Sequence, residues 1–232
     1  MTLPTQHPSA DQLAVTLLGG GLLAPAALDR ALARAPRLVA VDGGADQALA
    51  RGLMPDLVIG DFDSISATAR QAIAPERQRH RPGQDDTDFD KALAEIRAPF
   101  LLAVGFTGAR LDHTLAGVST LLRNPGARLI VDSGADLCFL CPPSLHLALP
   151  PGTRISLYPM RPLHCRSDGL RWPTDALTLD PFAMIGTSNA SAAPSVTLAP
   201  DTPAMLVLVP GAALDSVLAG LAQAPHWPQA GG

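Results

Sequence analysis

The chain is nearly devoid of lysine: Lys91 stands alone against 16 arginines. With a net charge of −4 and no basic stripe, nothing points to a nucleic-acid partner. Cysteine is scarce as well. Three cysteines, an odd number, build no disulfide framework, which fits a reducing compartment. Cys138 and Cys141 form a CxxC with no second pair, so small buried hydrophobes on a strand outweigh a zinc or redox site. Residues 1–12 carry no lysine or arginine and do not read as a signal peptide. The apolar stretch Leu13 to Leu28 holds three glycines and Pro25 and is too short to cross a bilayer. A soluble, cytoplasmic protein is expected. Charged residues make up only 16% against 47% hydrophobic ones, which supplies a sizeable core and excludes general disorder.

What is present changes character along the chain. From Leu13 to Ser133, apolar runs at Leu13–Leu18, Leu38–Val41, Leu57–Ile59, Phe100–Val104 and Arg128–Val131 read as strands. Helical patterns separate them at Ala24–Ala35, Ala45–Arg51, Ala67–Ala74, Thr87–Ile96 and Leu111–Leu122. Continuous apolar strands alternating with helices predict a parallel sheet covered on both faces. After Ser133, frequent prolines punctuate short Leu-, Val-, Ile- and Thr-rich runs, the texture of a small antiparallel domain. The fold expected is α/β: an N-terminal parallel-sheet (Rossmann-like) catalytic domain over 13–133, then an antiparallel β-sandwich over 134–210. Residues 211–232 read as a short helix and a frayed tail from Ala224 onward.

Ten of the 21 acidic residues fall between Asp42 and Asp90, eight of them within or beside turn-like or glycine-rich sequence. Carboxylates crowded together repel unless a cation neutralises them. Asp61 and Asp63 flank Phe62 just past a strand; in extended backbone both would point one way and reach one hard cation such as magnesium. A solvated turn is the bland alternative. Asp85 or Asp86 is expected at a helix start, followed by Asp88 and Lys91 three residues apart on one helix face. An ammonium there suits a phosphate oxygen or an acidic neighbour. The Gly105–Gly108 loop leads into a helix bearing Arg110 and Asp112, an arrangement able to hold phosphate through backbone N–H groups and a bidentate guanidinium. Neither this loop nor Gly19-Gly20-Gly21 matches the P-loop or the dinucleotide fingerprint.

In this order, Asp42-Gly43-Gly44-Ala45, then Pro55 to Ser64 with Gly60-Asp61-Phe62-Asp63, then Asp85-Asp86-Thr87-Asp88 with Lys91, then Gly108 to His113 resemble the catalytic motifs of the thiamine pyrophosphokinase family. Gly169-Leu170-Arg171-Trp172 and Gly186-Thr187-Ser188-Asn189 are similar to that family's thiamine-binding half, so the resemblance runs from about residue 13 to 209. It implies transfer of the β,γ-diphosphate of ATP to the thiamine hydroxyl, giving thiamine diphosphate and AMP. It further implies Mg²⁺ held by Asp61, Asp63, Asp85 and Asp88, with Asp112 nearby, and Lys91 and Arg110 serving the phosphates. Asp42, Gly43, Gly44, Thr87, Gly108 and Arg110 would lie along the nucleotide, and Ser188, Asn189 and Trp172 along thiamine. The resemblance also implies a homodimer with substrates in clefts between domains and subunits. A phosphatase, a pyrophosphokinase for a pterin-like alcohol and a non-catalytic ligand-binding protein remain as alternatives.

Overall fold

The computed structural model describes residues 13–83, 86–108 and 110–228. The chain divides into two compact units, one ending at Ala116 and the other starting at Gly117. In the first unit, strands β1 (Val15–Leu18), β2 (Arg37–Val41), β3 (Leu57–Gly60), β4 (Gln78–His80) and β5 (Leu101–Val104) alternate with helices α1 (Pro25–Leu32), α2 (Gly44–Leu49), α3 (Ala67–Ala72) and α4 (Asp88–Glu95). The strands are all parallel in the order β5-β1-β2-β3-β4. β1 and β5 are buried at every position, as their unbroken apolar sequences predict for strands covered on both faces. Strand β4, Gln-Arg-His, escapes a reading based on apolar runs because it is a short, polar edge strand.

Two helix starts in this unit follow ordinary capping chemistry. Ser66 accepts from Ala69 N at 3.0 Å ahead of α3, and Thr87 accepts from Asp90 N at 3.2 Å ahead of α4. The cap of α4 is thus Thr87, not the Asp85 or Asp86 expected from composition. Gly44 opens α2 under tight constraint, since a Cβ there would lie 1.8 Å from Leu18 O. Helix α2 sits this close to the end of β1 only because the residue has no side chain.

Helix α5 (Leu111–Arg123) contains the division between the units. The second unit holds β6 (Leu129–Asp132), β7 (Asp136–Leu140), β8 (Leu145–Ala148), β9 (Arg154–Pro159), β10 (Leu163–Asp168), β11 (Thr178–Leu179), β12 (Gly186–Ala190), β13 (Ser195–Pro200), β14 (Met205–Pro210) and α6 (Leu214–Gln223). Two antiparallel arrays result, ordered β12-β9-β14-β7-β6 and β11-β10-β13-β8. Here burial alternates, as in β8, where Leu145 and Leu147 point inward and His146 and Ala148 outward. Cys141 and Cys165 are buried and Cys138 is largely so; burial raises all three thiols, Cys138 to about 12. The tail is not frayed up to residue 228: Trp227 Nε1 donates to Cys141 O at 2.8 Å and His226 Nδ1 lies 2.9 Å from Gly126 O. No helix among the described residues is long and apolar enough to cross a membrane.

Candidate active site

Strands β2 and β3 run side by side with Val41 opposite Ile59, and Asp42 N donates to Ile59 O at 2.9 Å. Each strand is followed by an acid, Asp42 after β2 and Asp61 after Gly60. Their neighbouring strand ends bring the two carboxylates together, as parallel sheets do at their carboxyl edges. Gly60 permits this closeness, because a Cβ there would come within 3.0 Å of Asp42 Cβ. Asp88, the first residue of α4, completes the group, and its Oδ1 accepts from Asp61 N at 3.2 Å. Asp42, Asp61 and Asp88 each offer a carboxylate oxygen within 4.8 Å of the others, the one group of that kind among the described residues.

The cluster is under electrostatic stress. Asp42 is buried, and its Oδ1 has no hydrogen-bond partner, while Oδ2 accepts from Ser64 N at 3.2 Å. Burial raises the Asp42 carboxyl above its ordinary range; the Ser64 hydrogen bond opposes this, and the charges of Asp88 and Asp63 add to it. Lys91 supplies the compensating charge, with Nζ 2.8 Å from Asp88 Oδ1 and 3.4 Å from Asp61 Oδ2. Burial acts to lower the Lys91 ammonium, yet the Asp88 hydrogen bond and the Asp88 and Asp61 charges lift it above its usual value.

The backbone carries strain in the same places. Asp42, Phe62 and Ser188 are the non-glycine residues with positive φ, at 45°, 65° and 60°, among the described residues. Left-handed backbone is unremarkable for an aspartate and unfavourable for a phenylalanine. Phe62 keeps it because its ring is buried with Val58, Ile65, Ala69 and Ile73, and is flanked by the Arg70 guanidinium at 5.2 Å and the His80 ring at 5.3 Å. His80 Nε2 also lies 3.0 Å from Asp61 O. The extended geometry expected for Asp61-Phe62-Asp63 therefore does not form. Phe62 packs inward as expected, Asp61 faces the cluster, and exposed Asp63 accepts from Ser64 Oγ at 2.8 Å.

Other sequence-predicted residues fall as follows. Asp85 lies outside the described residues. The Thr87 hydroxyl caps α4 and donates to Asp90 Oδ2 at 2.6 Å. Gly43 precedes α2 and Gly44 opens it, directly after Asp42. The loop carrying Gly108 is held to the loop after β1, with Gly21 N donating to Gly105 O at 2.7 Å and Leu22 N to Thr107 O at 3.1 Å. Arg110 makes an exposed, two-pronged contact with Asp112, at 3.1 and 2.5 Å, which holds the Asp112 carboxyl below its ordinary value. In the second unit, Asn189 is buried and spent on the backbone: Oδ1 accepts from Trp172 N and Nδ2 donates to Trp172 O, at 3.2 and 2.8 Å. Trp172 is thereby presented with 54% of its surface exposed, under the Arg171 guanidinium at 4.9 Å from its ring. Ser188, in its left-handed conformation, donates its N–H to Ser156 Oγ at 3.0 Å. Sequence reasoning assigned Asp42 to the nucleotide and overlooked Arg70 and His80; only the position of Asp42 directly after an apolar strand signalled that it would share the rim.

Residues 28–133 match the model of the thiamin pyrophosphokinase catalytic domain. Over that stretch, a little under half of its length, the chain is similar to the thiamin pyrophosphokinase catalytic domain. It is similar to thiamine pyrophosphokinase 1 of rice (Oryza sativa subsp. japonica), 27% identical over 167 residues that make up 64% of this chain and 63% of that protein. It is 35% identical to thiamine pyrophosphokinase of Bacillus subtilis over 91 residues, 37% of this chain and 42% of that one. The matched stretches thus span less than two thirds of either relative. Among solved structures, the thiamine pyrophosphokinase of Bacillus subtilis superposes with a TM-score of 0.71 at 22% identity, over 85% of this chain and 98% of that one. The yeast thiamin pyrophosphokinase gives 0.73 at 16% identity, over 92% and 90%. These likenesses establish a shared mixed α/β fold, and none of the matched proteins favours the phosphatase, pterin or non-catalytic readings.

Proposed function

We propose that the protein is an ATP-dependent thiamine diphosphokinase, moving the β,γ-diphosphate of ATP intact to the hydroxyl of thiamine and releasing AMP. One observation carries this reading: Asp42, Asp61 and Asp88 converge within the catalytic-domain match, with an unpartnered carboxylate oxygen buried among them. A buried, unpartnered carboxylate oxygen is costly unless something positive completes it. An all-oxygen donor set of carboxylates suits a hard divalent cation that keeps other positions for phosphate and water. The residues present therefore fit Mg²⁺. Asp42, Asp61 and Asp88 would hold it, with Asp85, three residues before Asp88, close enough in sequence to complete the shell, whereas Asp63 faces away. When bound, the ion would supply neutralising charge between these acids and the phosphates.

In this reading the parallel sheet of the first unit is a Rossmann-like platform for ATP, within a catalytic domain of residues 13–133. The antiparallel strands of residues 134–210 form a β-sandwich whose Trp172 and Ser188 meet thiamine, with Asn189 holding the tryptophan in position. Gly43 and Gly44 let the nucleotide approach the backbone at the start of α2, alongside Thr87 and Gly108. The thiamine oxygen attacks the β-phosphorus, a new O–P bond forms, the bond to the α-phosphate bridging oxygen breaks, and the hydroxyl proton passes to solvent or to a carboxylate such as Asp88. Transfer of this kind depends on alignment and charge neutralisation more than on a strong base. Lys91 and Arg110 serve the transferred and departing phosphates, with Arg110 exchanging its exposed Asp112 contact for a phosphate. A homodimer is part of the proposal, supported by the apolar run of Phe182, Met184 and Ile185, of which Phe182 is 94% exposed. A cytoplasmic location fits the three free thiols.

The test is direct. Protein, Mg·ATP and thiamine should give thiamine diphosphate and AMP in equal amounts. Release of inorganic phosphate from ATP without thiamine, or no AMP with it, defeats the proposal.

A further inference from the structure

We propose that Lys91 is the built-in competitor of the divalent cation: its ammonium occupies the charge environment of Asp61 and Asp88, and the ion must drive it off to bind. This rests on the reading of the acid cluster as a cation site. Lys91 Nζ bridges the two carboxylates at 2.8 and 3.4 Å, from a side chain only 10% exposed. Both contacts belong to the trio that converges within 4.8 Å. A second cation among these acids would share a poorly hydrated volume with an ammonium, and like charges brought that close repel strongly.

The geometry gives the arrangement a use. Without a counter-ion, three carboxylates this close would repel one another. Lys91 compensates two of them, and its four-carbon stem with rotatable bonds can swing away, which a rigid guanidinium fork does less readily. Asp42 Oδ1 remains the unpartnered atom toward which an arriving ion is drawn. Metal alone must displace the ammonium into nothing. Metal arriving with a nucleotide offers the ammonium a phosphate oxygen in exchange, so the site favours the metal–nucleotide complex over the bare ion. Sequence makes the choice of residue conspicuous, because arginine fills every other basic position.

Calorimetric titration of the full chain with Mn²⁺, without and with ATP, tests this in the wild type, Lys91→Met and Lys91→Arg. Lys91→Met should bind Mn²⁺ alone roughly tenfold more tightly than wild type, a change of about 1.4 kcal/mol. ATP should then enhance Mn²⁺ binding less in Lys91→Met than in wild type, while Lys91→Arg should bind Mn²⁺ alone no more tightly than wild type. Equal or weaker Mn²⁺ binding by Lys91→Met overturns the competition while leaving the cation site standing. No Mn²⁺ binding by any of the three overturns the cation site and the competition with it. If Lys91→Met does not fold, the wild type alone decides. Isotopic labelling of lysine gives one side-chain NMR signal, which should move and saturate as Mg²⁺ is added; a signal that stays put at saturation overturns the proposal.

Discussion

The acid cluster of the first unit sits in electrostatic and conformational stress, whereas Asn189 and Trp172 of the second unit are at rest. Asp42 is buried with a free oxygen among like charges, and Phe62 is held left-handed by the packing around it. In the second unit Asn189 has its side-chain bonds made, and Trp172 is simply displayed. Stress of the first kind is relieved by a ligand of opposite charge, so it marks where charge neutralisation is wanted. A displayed aromatic on a satisfied frame marks a contact surface that selects by shape and stacking. Under the proposed function, chemistry falls to the first unit and recognition to the second.

The largest effect should come from breaking the stressed side. Asp61→Asn and Asp88→Asn should each lower kcat/KM for AMP formation by on the order of 100-fold, about 3 kcal/mol, with an unchanged circular dichroism spectrum. Near-normal rates in both would place the chemistry elsewhere. Next, Gly44→Ala forces a Cβ to 1.8 Å from Leu18 O and should cost about 2 kcal/mol or more in urea unfolding, because backbone cannot move aside as a side chain does. The resting side predicts a split. Asn189→Ala should destabilise the fold by about 1–3 kcal/mol by leaving Trp172 backbone groups unpaired, whereas Trp172→Ala should raise the thiamine KM severalfold at unchanged Tm.

Asp42→Asn sharpens the comparison further. A carboxyl whose folded pKa lies above its unfolded one favours folding below the unfolded value, and that contribution is lost as pH rises through the folded value. Asp42 is such a group, so in metal-free protein Asp42→Asn should raise Tm at neutral pH, and the gain should vanish as the pH falls below the ordinary carboxylate range. A Tm lowered at pH 7 contradicts the account of its burial. The smallest effect concerns the thiols. With Cys138 raised to about 12 and Cys141 and Cys165 also raised by burial, a thiol reagent at pH 8 should label the native chain far more slowly than the urea-unfolded one.

Much of the first unit was legible because its signals are local. Unbroken apolar runs such as Leu101–Val104 mark strands buried on both faces, and the 3.6 periodicity between them marks the covering helices. Polar β4 was not legible, since an edge strand with no buried face has no periodicity to display. Asp88 and Lys91 were nameable as a pair from their spacing, and Asp61 joined them only through the family resemblance. That Asp42 joins them and Asp63 turns aside was not legible, because the left-handed Phe62 reverses the alternation on which the reading of Asp61-Phe62-Asp63 relied. Trp227 likewise looked like part of a loose tail, and its anchor, Cys141 O, lies far away in sequence.

The sequence by itself determined the order of elements, the burial of the parallel strands and the supply of acids at strand ends, all of which follow from residues within a few positions of one another. Only the tertiary structure decided which carboxylates meet, which cation already attends them and which amide is consumed in holding an aromatic. Those outcomes depend on strand order and on single backbone dihedrals, and both are fixed by packing between segments distant in the chain.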